Sequence, residues 1–127
     1  MVGGKIEPGE DFKDAISREV KEETGMSVNF KGLRGVVYET LYKGKKIDDH
    51  FIIWVCETQA PSANAIEQNE GKVKWFTWQD LEKNKEKIIP SDFAMIKEFF
   101  SGKKKRLRLH TSKMRARGKK YILEFFG

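Results

Sequence analysis

Three glutamates, Glu19, Glu22 and Glu23, form the densest group of potential catalytic or metal-binding side chains in the sequence. On a helix, Glu19 and Glu23 fall within roughly 20° of Phe12 and Glu22 within about 80° of it, at about 100° per residue. The acids therefore share the apolar stripe, whereas a solvated helix would carry them on the opposite side. They also lie near the C-terminal end of the helix, where its dipole disfavours negative charge, and they repel one another at i,i+3 and i,i+4 spacing.

A bound divalent cation would relieve all of these unfavourable features. Carboxylate oxygens without any histidine or cysteine suit Mg²⁺ or Mn²⁺ and do not suit zinc. The alternative is a solvated acidic helix whose glutamates pair with Lys13, Lys21 or the basic C-terminal segment. The helix by itself leaves both interpretations open.

A spaced pattern surrounds these acids. It has Gly4, then five residues, Glu10, seven residues and the run Arg18-Glu19-Val20-Lys21-Glu22-Glu23-Thr24-Gly25-Met26. This pattern resembles the Nudix box, and every defined position of the box matches over the 23 residues from Gly4 to Met26. The resemblance implies a Nudix hydrolase, an α+β protein with an α/β/α sandwich around a mixed sheet. Such an enzyme cleaves the pyrophosphate bond of a nucleoside diphosphate linked to another moiety, X.

The resemblance also implies roles for individual residues. The metal ligands would be Glu19, Glu22 and Glu23, and the catalytic group would include Glu19, Glu22 and Arg18. In the family, the arginine and the earlier glutamate hold the loop–helix–loop together, which maps to Arg18 and Glu10. The substrate phosphates would lie along the loop that contains Gly4, Lys5 and Gly9.

A later acidic segment is similar to the family loop that often carries a further ligand or the general base. Glu70 precedes Trp75 by five residues and is predicted to be this extra metal ligand or base, with Glu67 as the second candidate. Both glutamates have an alternative role as solvated loop acids. Glu19 stays a candidate base too. Trp75, Phe76 and Trp78 alternate along a predicted strand, and one face of this strand is expected to pack in the core, in preference to base stacking by any of the three.

Several elements must position these residues, and the pattern is mixed α and β with a mostly antiparallel look. A helix over Asp11–Thr24 would end at Gly25, because glycine readily ends a helix. The other expected elements are strands Val36–Tyr42 and Ile47–Glu57 joined as a hairpin, a short strand Lys72–Trp78, helical turns at Trp78–Asn84, a helix Ser91–Phe100 capped by its serine, and final strands Arg106–His110 and Lys119–Phe126.

Composition bounds the class of protein. The chain has 127 residues, which fit one domain over 1–127, and 39% hydrophobic and 12% aromatic residues supply a core. No apolar run is long enough to span a membrane, so we expect no membrane partner. The single cysteine, Cys56, excludes a disulfide framework and a thiolate zinc cluster. These features predict a cytoplasmic protein.

Charge is distributed unevenly. Residues 1–102, the expected Nudix core, hold 15 of the 25 Lys/Arg and 18 of the 19 Asp/Glu, for a net charge of −3. Residues 103–127 form the expected basic hairpin, with ten basic residues and no acid from Lys103 to Lys120. That segment could bind RNA phosphates, but no aromatic residue interleaves with its charges. A solvated hairpin is therefore the favoured interpretation.

The box begins almost at Met1, so the family's first strands are missing and an N-terminally truncated domain is expected. The C-terminal hairpin could add to the sheet near the place of those strands, or a second copy could supply them. The chain would accordingly be a monomer or a homodimer. Two substrate classes are left open for an enzyme. It would hydrolyse small nucleotides, or it would act as a pyrophosphohydrolase on RNA 5′ ends. A non-catalytic nucleotide- or RNA-binding module is the alternative class.

Overall fold

The computed structural model describes residues 1–62, 73–102 and 107–127. Its elements are α1 (Phe12–Thr24), β1 (Asn29–Lys43), β2 (Lys46–Gln59), α2 (Trp78–Lys83), a 3-10 turn (Lys85–Lys87), α3 (Pro90–Phe100), β3 (Arg108–Arg117) and β4 (Lys120–Phe126). The chain divides into two compact units. The first unit comprises Met1–Gly32 and Cys56–Thr77, and the second comprises Leu33–Val55 and Trp78–Gly127.

Helix α1 carries start and stop signals that are visible in the sequence. The Asp11 carboxylate accepts hydrogen bonds from the backbone N–H groups of Lys13 at 2.7 Å and Asp14 at 3.0 Å. The Asp14 bond first, and then the Lys13 bond, hold the pKa of Asp11 below its ordinary value. Gly25 ends the helix with φ of 73°, in the left-handed region that favours glycine. The predicted helix is confirmed, with Asp11 as its cap and not its first residue.

The strands form one mixed sheet in the order β2-β1-β3-β4. Strand β1 pairs in parallel with β3, from Gly35 opposite Arg108 to Lys43 opposite Ala116, and β3 pairs antiparallel with β4. The mixed α+β fold and the β1–β2 hairpin are confirmed, and the β1–β3 pair supplies the parallel part of the sheet. The C-terminal hairpin does join the sheet. Its basic segment is largely strand, because β3 continues to Arg117.

The second unit has its core on one side of this sheet. Val37 and Val55 are buried there against Met95 of α3. Gly35 permits a close approach of α3, since a Cβ built at that position would lie 2.1 Å from Cε1 of Phe99. A glycine in β1 therefore makes room for a phenylalanine ring on the sheet.

One polar pair is buried in the same sheet. Ser112 of β3 donates a hydrogen bond of 3.0 Å to Oε2 of Glu39 of β1, and both residues are buried. Buried polar groups need such partners because an unpaired one is costly. The bond therefore supports the parallel pairing of β1 with β3.

Two local predictions are wrong. Residues 73–77 form no strand, and Trp78 begins α2, while Lys72 lies outside the described residues. Helix α3 begins at Pro90 after Ile89, and Ser91 is a buried residue of its first turn without a capping bond. Proline is well suited to a first helical position because its missing N–H would have no partner there.

In the described part of the chain, no helix combines the length and apolarity needed to cross a membrane.

Candidate active site

Arg18 on α1 is the centre of the predicted site. Its guanidinium holds the Glu10 carboxylate through two hydrogen bonds, Nε to Oε1 at 2.8 Å and Nη2 to Oε2 at 3.1 Å. Nη2 also donates to the backbone carbonyl of Lys5 at 3.0 Å. The Arg18 bond is the main cause that lowers the pKa of Glu10, and the bonds to Glu10 and then Glu19 raise the pKa of Arg18. The arginine thus ties the N-terminal loop to the helix.

The same guanidinium reaches two of the three predicted metal ligands. Nη1 donates to Oε1 of Glu19 at 2.8 Å and to Oε2 of Glu22 at 3.1 Å. Glu19 is buried, whereas Glu22 is exposed. Glu23 points elsewhere and accepts the backbone N–H of Gly3 at 3.2 Å. The helix therefore gives each of the three acids a different environment.

Gly4 lies directly against the Glu19 carboxylate. A Cβ built on Gly4 would lie 2.1 Å from Oε1 and 2.5 Å from Oε2 of Glu19. No real Cβ tolerates such a distance, so a side chain at this position would displace the carboxylate or the loop. The glycine of the motif is required by the close approach of its backbone to the acid.

The loop between Gly4 and α1 is shaped by a turn over Glu7–Glu10. The Glu10 N–H donates to the Glu7 carbonyl at 3.0 Å, and the Glu7 N–H donates to Oε2 of Glu10 at 2.9 Å. Gly9, after Pro8, has φ of 86°, which only glycine adopts readily. The turn orients the carboxylate that Arg18 holds.

The donor set of this site consists of carboxylate oxygens. Two of them, from Glu19 and Glu22, already meet at one cationic nitrogen, and this chemistry fits a hard divalent cation such as Mg²⁺ or Mn²⁺. Within the described ranges, no group of three or more His, Cys, Asp or Glu side chains is placed so that it could hold a metal ion. The predicted ligand or base Glu70 and its rival Glu67 lie outside the described residues.

A cavity of about 230 Å³ lies in the first unit. Most of its lining is apolar, and Trp75 lies at its wall. The lining residues are Val2, Val20, Thr24, Met26, Val28, Thr58, Ala60, Val73, Lys74 and Trp75. Val2 lines this cavity, the Gly3 amide binds Glu23, and Gly4 contacts Glu19, so consecutive residues connect the cavity to the acids.

The aromatic residues near Trp75, His110 and Cys56 take no part in the hydrogen bonds of Arg18. Trp75, Phe76 and Trp78 are exposed, so the prediction that one face of a strand packs in the core here is wrong. His110 is a strand residue, as expected, buried between the rings of Phe99 and Phe126 with centroid distances of 5.1 Å and 5.2 Å. Burial raises the pKa of the Cys56 thiol.

Backbone anchors are the part of the site that the sequence did not indicate. The Gly3 N–H and the Lys5 carbonyl both bind side chains of α1. Any residue carries these groups, so no residue type marks them. The Gly3-Gly4 pair was the available signal, since adjacent glycines permit close backbone approach.

The chain is similar to known proteins. Residues 1–99 match the NUDIX domain family. The uncharacterized Nudix hydrolase YvcI of Bacillus subtilis (strain 168) is 31% identical over 81 residues, which are 63% of this chain and 51% of that protein. Nucleoside diphosphate-linked moiety X motif 6 of Mus musculus is 30% identical over 84 residues, 65% of this chain and 27% of that protein. The chain thus spans about half of the bacterial relative and about a quarter of the mouse relative.

A solved structure shares the fold. The crystal structure of the mMutator MutT protein from Bacillus halodurans superposes with a TM-score of 0.70, covering 98% of this chain and 78% of that one. The sequence identity is 21%, so the likeness concerns the fold alone.

Proposed function

The chain belongs to the Nudix family, and we propose that it hydrolyses the pyrophosphate bond of a nucleoside diphosphate linked to another moiety, such as an NTP or a nucleotide sugar, in the presence of Mg²⁺ or Mn²⁺. The observation that carries this proposal is the Arg18 cluster, in which one guanidinium holds Glu10, Glu19 and Glu22. An arginine that served only to neutralise one acid would not be bonded to three carboxylates.

Glu19, Glu22 and Glu23 would hold the cation, together with Glu70. When bound, a divalent cation neutralises charge on phosphate oxygens and makes water more acidic. The chain's own contribution is to hold the acids in place. Arg18 fixes Glu19 from one side, and the bare backbone of Gly4 lets this carboxylate lie against the loop. Glu19 and Glu70 are the candidate bases for the attacking water.

The N-terminal loop would bind the phosphates of the substrate. Lys5 has an exposed side chain, and its carbonyl is held by Arg18, so the ammonium group is free to reach an anion from a fixed backbone position. Gly4 and Gly9 leave the backbone of this loop open. The apolar cavity beside Val2 would take the nucleobase, with Trp75 as a surface for stacking.

The test is a release assay with NTPs, ADP-ribose, dinucleoside polyphosphates and triphosphorylated RNA, each with Mg²⁺ and with EDTA. We expect turnover that EDTA abolishes and that Glu22→Gln strongly reduces, because the substitution removes one carboxylate ligand of the cation. Glu86→Gln, an exposed glutamate of the 3-10 turn, is the matched control. Unchanged turnover in Glu22→Gln would show that the metal assignment is wrong.

Two other functions use the same fold. A pyrophosphohydrolase of RNA 5′ ends is favoured by the basic strand β3 and would turn over triphosphorylated RNA in preference to the small nucleotides. A non-catalytic module is the outcome if no substrate is turned over.

The half-buried Cys56, the single cysteine of the chain, supports a proposed location in the reducing cytoplasm.

A further inference from the structure

The sheet of the second unit has an outer face, which we define as the side opposite the core of Val37, Val55 and Met95. Residues directly paired across strands share a side of a sheet, and successive residues alternate. Val37 faces the core, so Tyr38 of β1 and its partner Thr111 of β3 lie on the outer face. Two residues further along β3, Lys113 lies on this face as well.

Aromatic side chains from other strands reach the same face. Phe125 of β4 pairs with Lys113, which places its ring there. On β2, Ile53 and Val55 pack in the core, so Trp54 between them points to the outer face. The exposed fractions of Tyr38, Trp54 and Phe125 are 43%, 41% and 49%. Large aromatic side chains that are partly exposed together on one face are characteristic of binding sites.

Positive charge accompanies these rings. Lys113 and Arg117 of β3 are separated by an even number of positions, so both lie on the outer face, and both are exposed. Lys120 of β4 pairs with Arg117. Glu124 is the acid of β4, and Arg115 neutralises it through a hydrogen bond of 3.0 Å and a second, shorter one. Alternation along β2 also places the acidic residue Asp48 on the outer face, near the turn between β1 and β2.

We propose that the outer face binds single-stranded nucleic acid, with bases stacked on Tyr38, Trp54 or Phe125 and phosphates held by Lys113 and Arg117. Along the sequence, the basic segment from Lys103 to Lys120 lacks aromatic residues, which predicted a solvated hairpin. In the sheet, β1 and β4 place aromatic rings directly beside β3, and β2 places Trp54 one strand further away. A cationic surface with exposed aromatic rings fits single-stranded nucleic acid, because each unpaired base has a face that can stack on a ring.

The experiment measures fluorescence anisotropy of a labelled single-stranded RNA of about 12 nucleotides, a length within the site sizes of such platforms. We expect Tyr38→Ala and Phe125→Ala each to weaken binding by about 5- to 150-fold, the effect of losing one stacked base. We expect neither to change the slope of log affinity against log salt concentration. Lys113→Ala should instead make that slope shallower by about 0.7, the value for one phosphate contact on a single strand.

Matched controls lie outside the strands of the sheet. Phe76→Ala removes an aromatic ring that is also 43% exposed but belongs to the first unit, and Lys85→Ala removes an exposed charge from the 3-10 turn. Both should bind RNA like the wild type. Tyr38→Leu keeps an apolar side chain in the strand and should weaken binding as Tyr38→Ala does. Circular dichroism confirms that each variant is folded.

Several outcomes would overturn the proposal. Equal affinity for duplex and single-stranded RNA of the same length, with no effect of Tyr38→Ala, would mean simple attraction between opposite charges. Wild-type affinity in Tyr38→Leu would exclude stacking. A dimer in light scattering that Phe125→Ala dissociates, without RNA binding, would identify a second copy as the occupant. The assay needs no turnover, so its result is independent of the proposed hydrolysis.

Discussion

Two arginines each hold a glutamate through paired hydrogen bonds, Arg18 with Glu10 in the first unit and Arg115 with Glu124 in the second. The two arginine side chains have similar exposure, at 25% and 27%. Their surroundings differ. Arg18 also binds Glu19 and Glu22, so the cluster carries two more negative charges than positive ones.

Arg115 completes its contacts with neutral groups. It donates to the Gly44 carbonyl, and its guanidinium lies 5.2 Å from the centroid of the Tyr42 ring. This pair is balanced in charge and joins β3 and β4 to the turn of the β1–β2 hairpin. The same pairing chemistry thus serves fold stability in one unit. In the other it concentrates unneutralised carboxylates, which is a requirement for binding a cation.

The largest effect should come from removing the space beside Glu19. Gly4→Ala places a methyl group within 2.1 Å of Oε1 of Glu19, and the carboxylate must move. A displacement of this size is expected to reduce kcat/KM of the proposed hydrolysis by about 10²-fold. Gly3→Ala is the matched control, since a Cβ at Gly3 meets no atom within 4 Å. Equal loss in both variants would contradict the role of the Gly4 contact.

The next effect separates the two arginines directly. Arg18→Met should reduce kcat/KM by about 10- to 100-fold, the range for residues that orient metal ligands. Arg115→Met should leave kcat/KM nearly unchanged, because its hydrogen bonds go to Glu124 and Gly44 and to none of Glu19, Glu22 and Glu23. Steady-state assays of both variants with the same substrate make the comparison. If both variants lose activity alike, the division between site and scaffold is wrong.

Thermal stability should depend on Arg115, although the proposed activity should not. Arg115→Met removes the pair with Glu124, the bond to Gly44 and the ring contact at Tyr42, so we expect a melting temperature lower by a few degrees. Arg117→Met, at an exposed position two residues further along β3, should change it less. Thermal unfolding followed by circular dichroism provides the measurement. A larger shift for Arg117→Met would disprove the assignment of Arg115 to the scaffold.

The smallest effect concerns the start of α1. The folded state lowers the pKa of Asp11 from its ordinary value of 3.8, so the ionised carboxylate stabilises the fold. That contribution is fully present above about pH 3.8 and is lost as the pH falls through the lower folded-state pKa. We therefore expect Asp11→Asn to be less stable than the wild type at neutral pH and to converge with it in acid. Denaturant unfolding over pH 2 to 7 tests the sign, and a gap that widens in acid would refute it.

The sequence predicted elements whose signals are local. Asp11 and Gly25 delimit α1 because a cap and a left-handed glycine act within one turn of the helix. The parallel pairing of β1 with β3 was not predictable, since no local pattern marks the partner of a strand. Alternating aromatic residues around Trp75 suggested a strand over 72–78, but these side chains are exposed and the described segment is irregular.

The site was predictable in its residue types and less so in its geometry. Helical periodicity placed Glu19, Glu22 and Glu23 on one side of α1. It could not show that Arg18 bridges the first two or that Glu23 turns to the Gly3 amide. These contacts depend on the path of the N-terminal loop, which the turn at Gly9 sets. The outer face of the sheet was hidden for the same reason, because its rings come from separate strands.

The buried bond between Glu39 and Ser112 has a consequence for folding kinetics, because it joins positions 73 residues apart. Closing so long a loop costs conformational entropy before any contact repays it, and parallel pairing of distant strands slows folding. We expect α1 and the β1–β2 hairpin to form early and β3 to dock late. The Tyr38–Thr111 neighbourhood would then be assembled only in the final step, so a refolding experiment should recover the signals of α1 before those of the complete sheet.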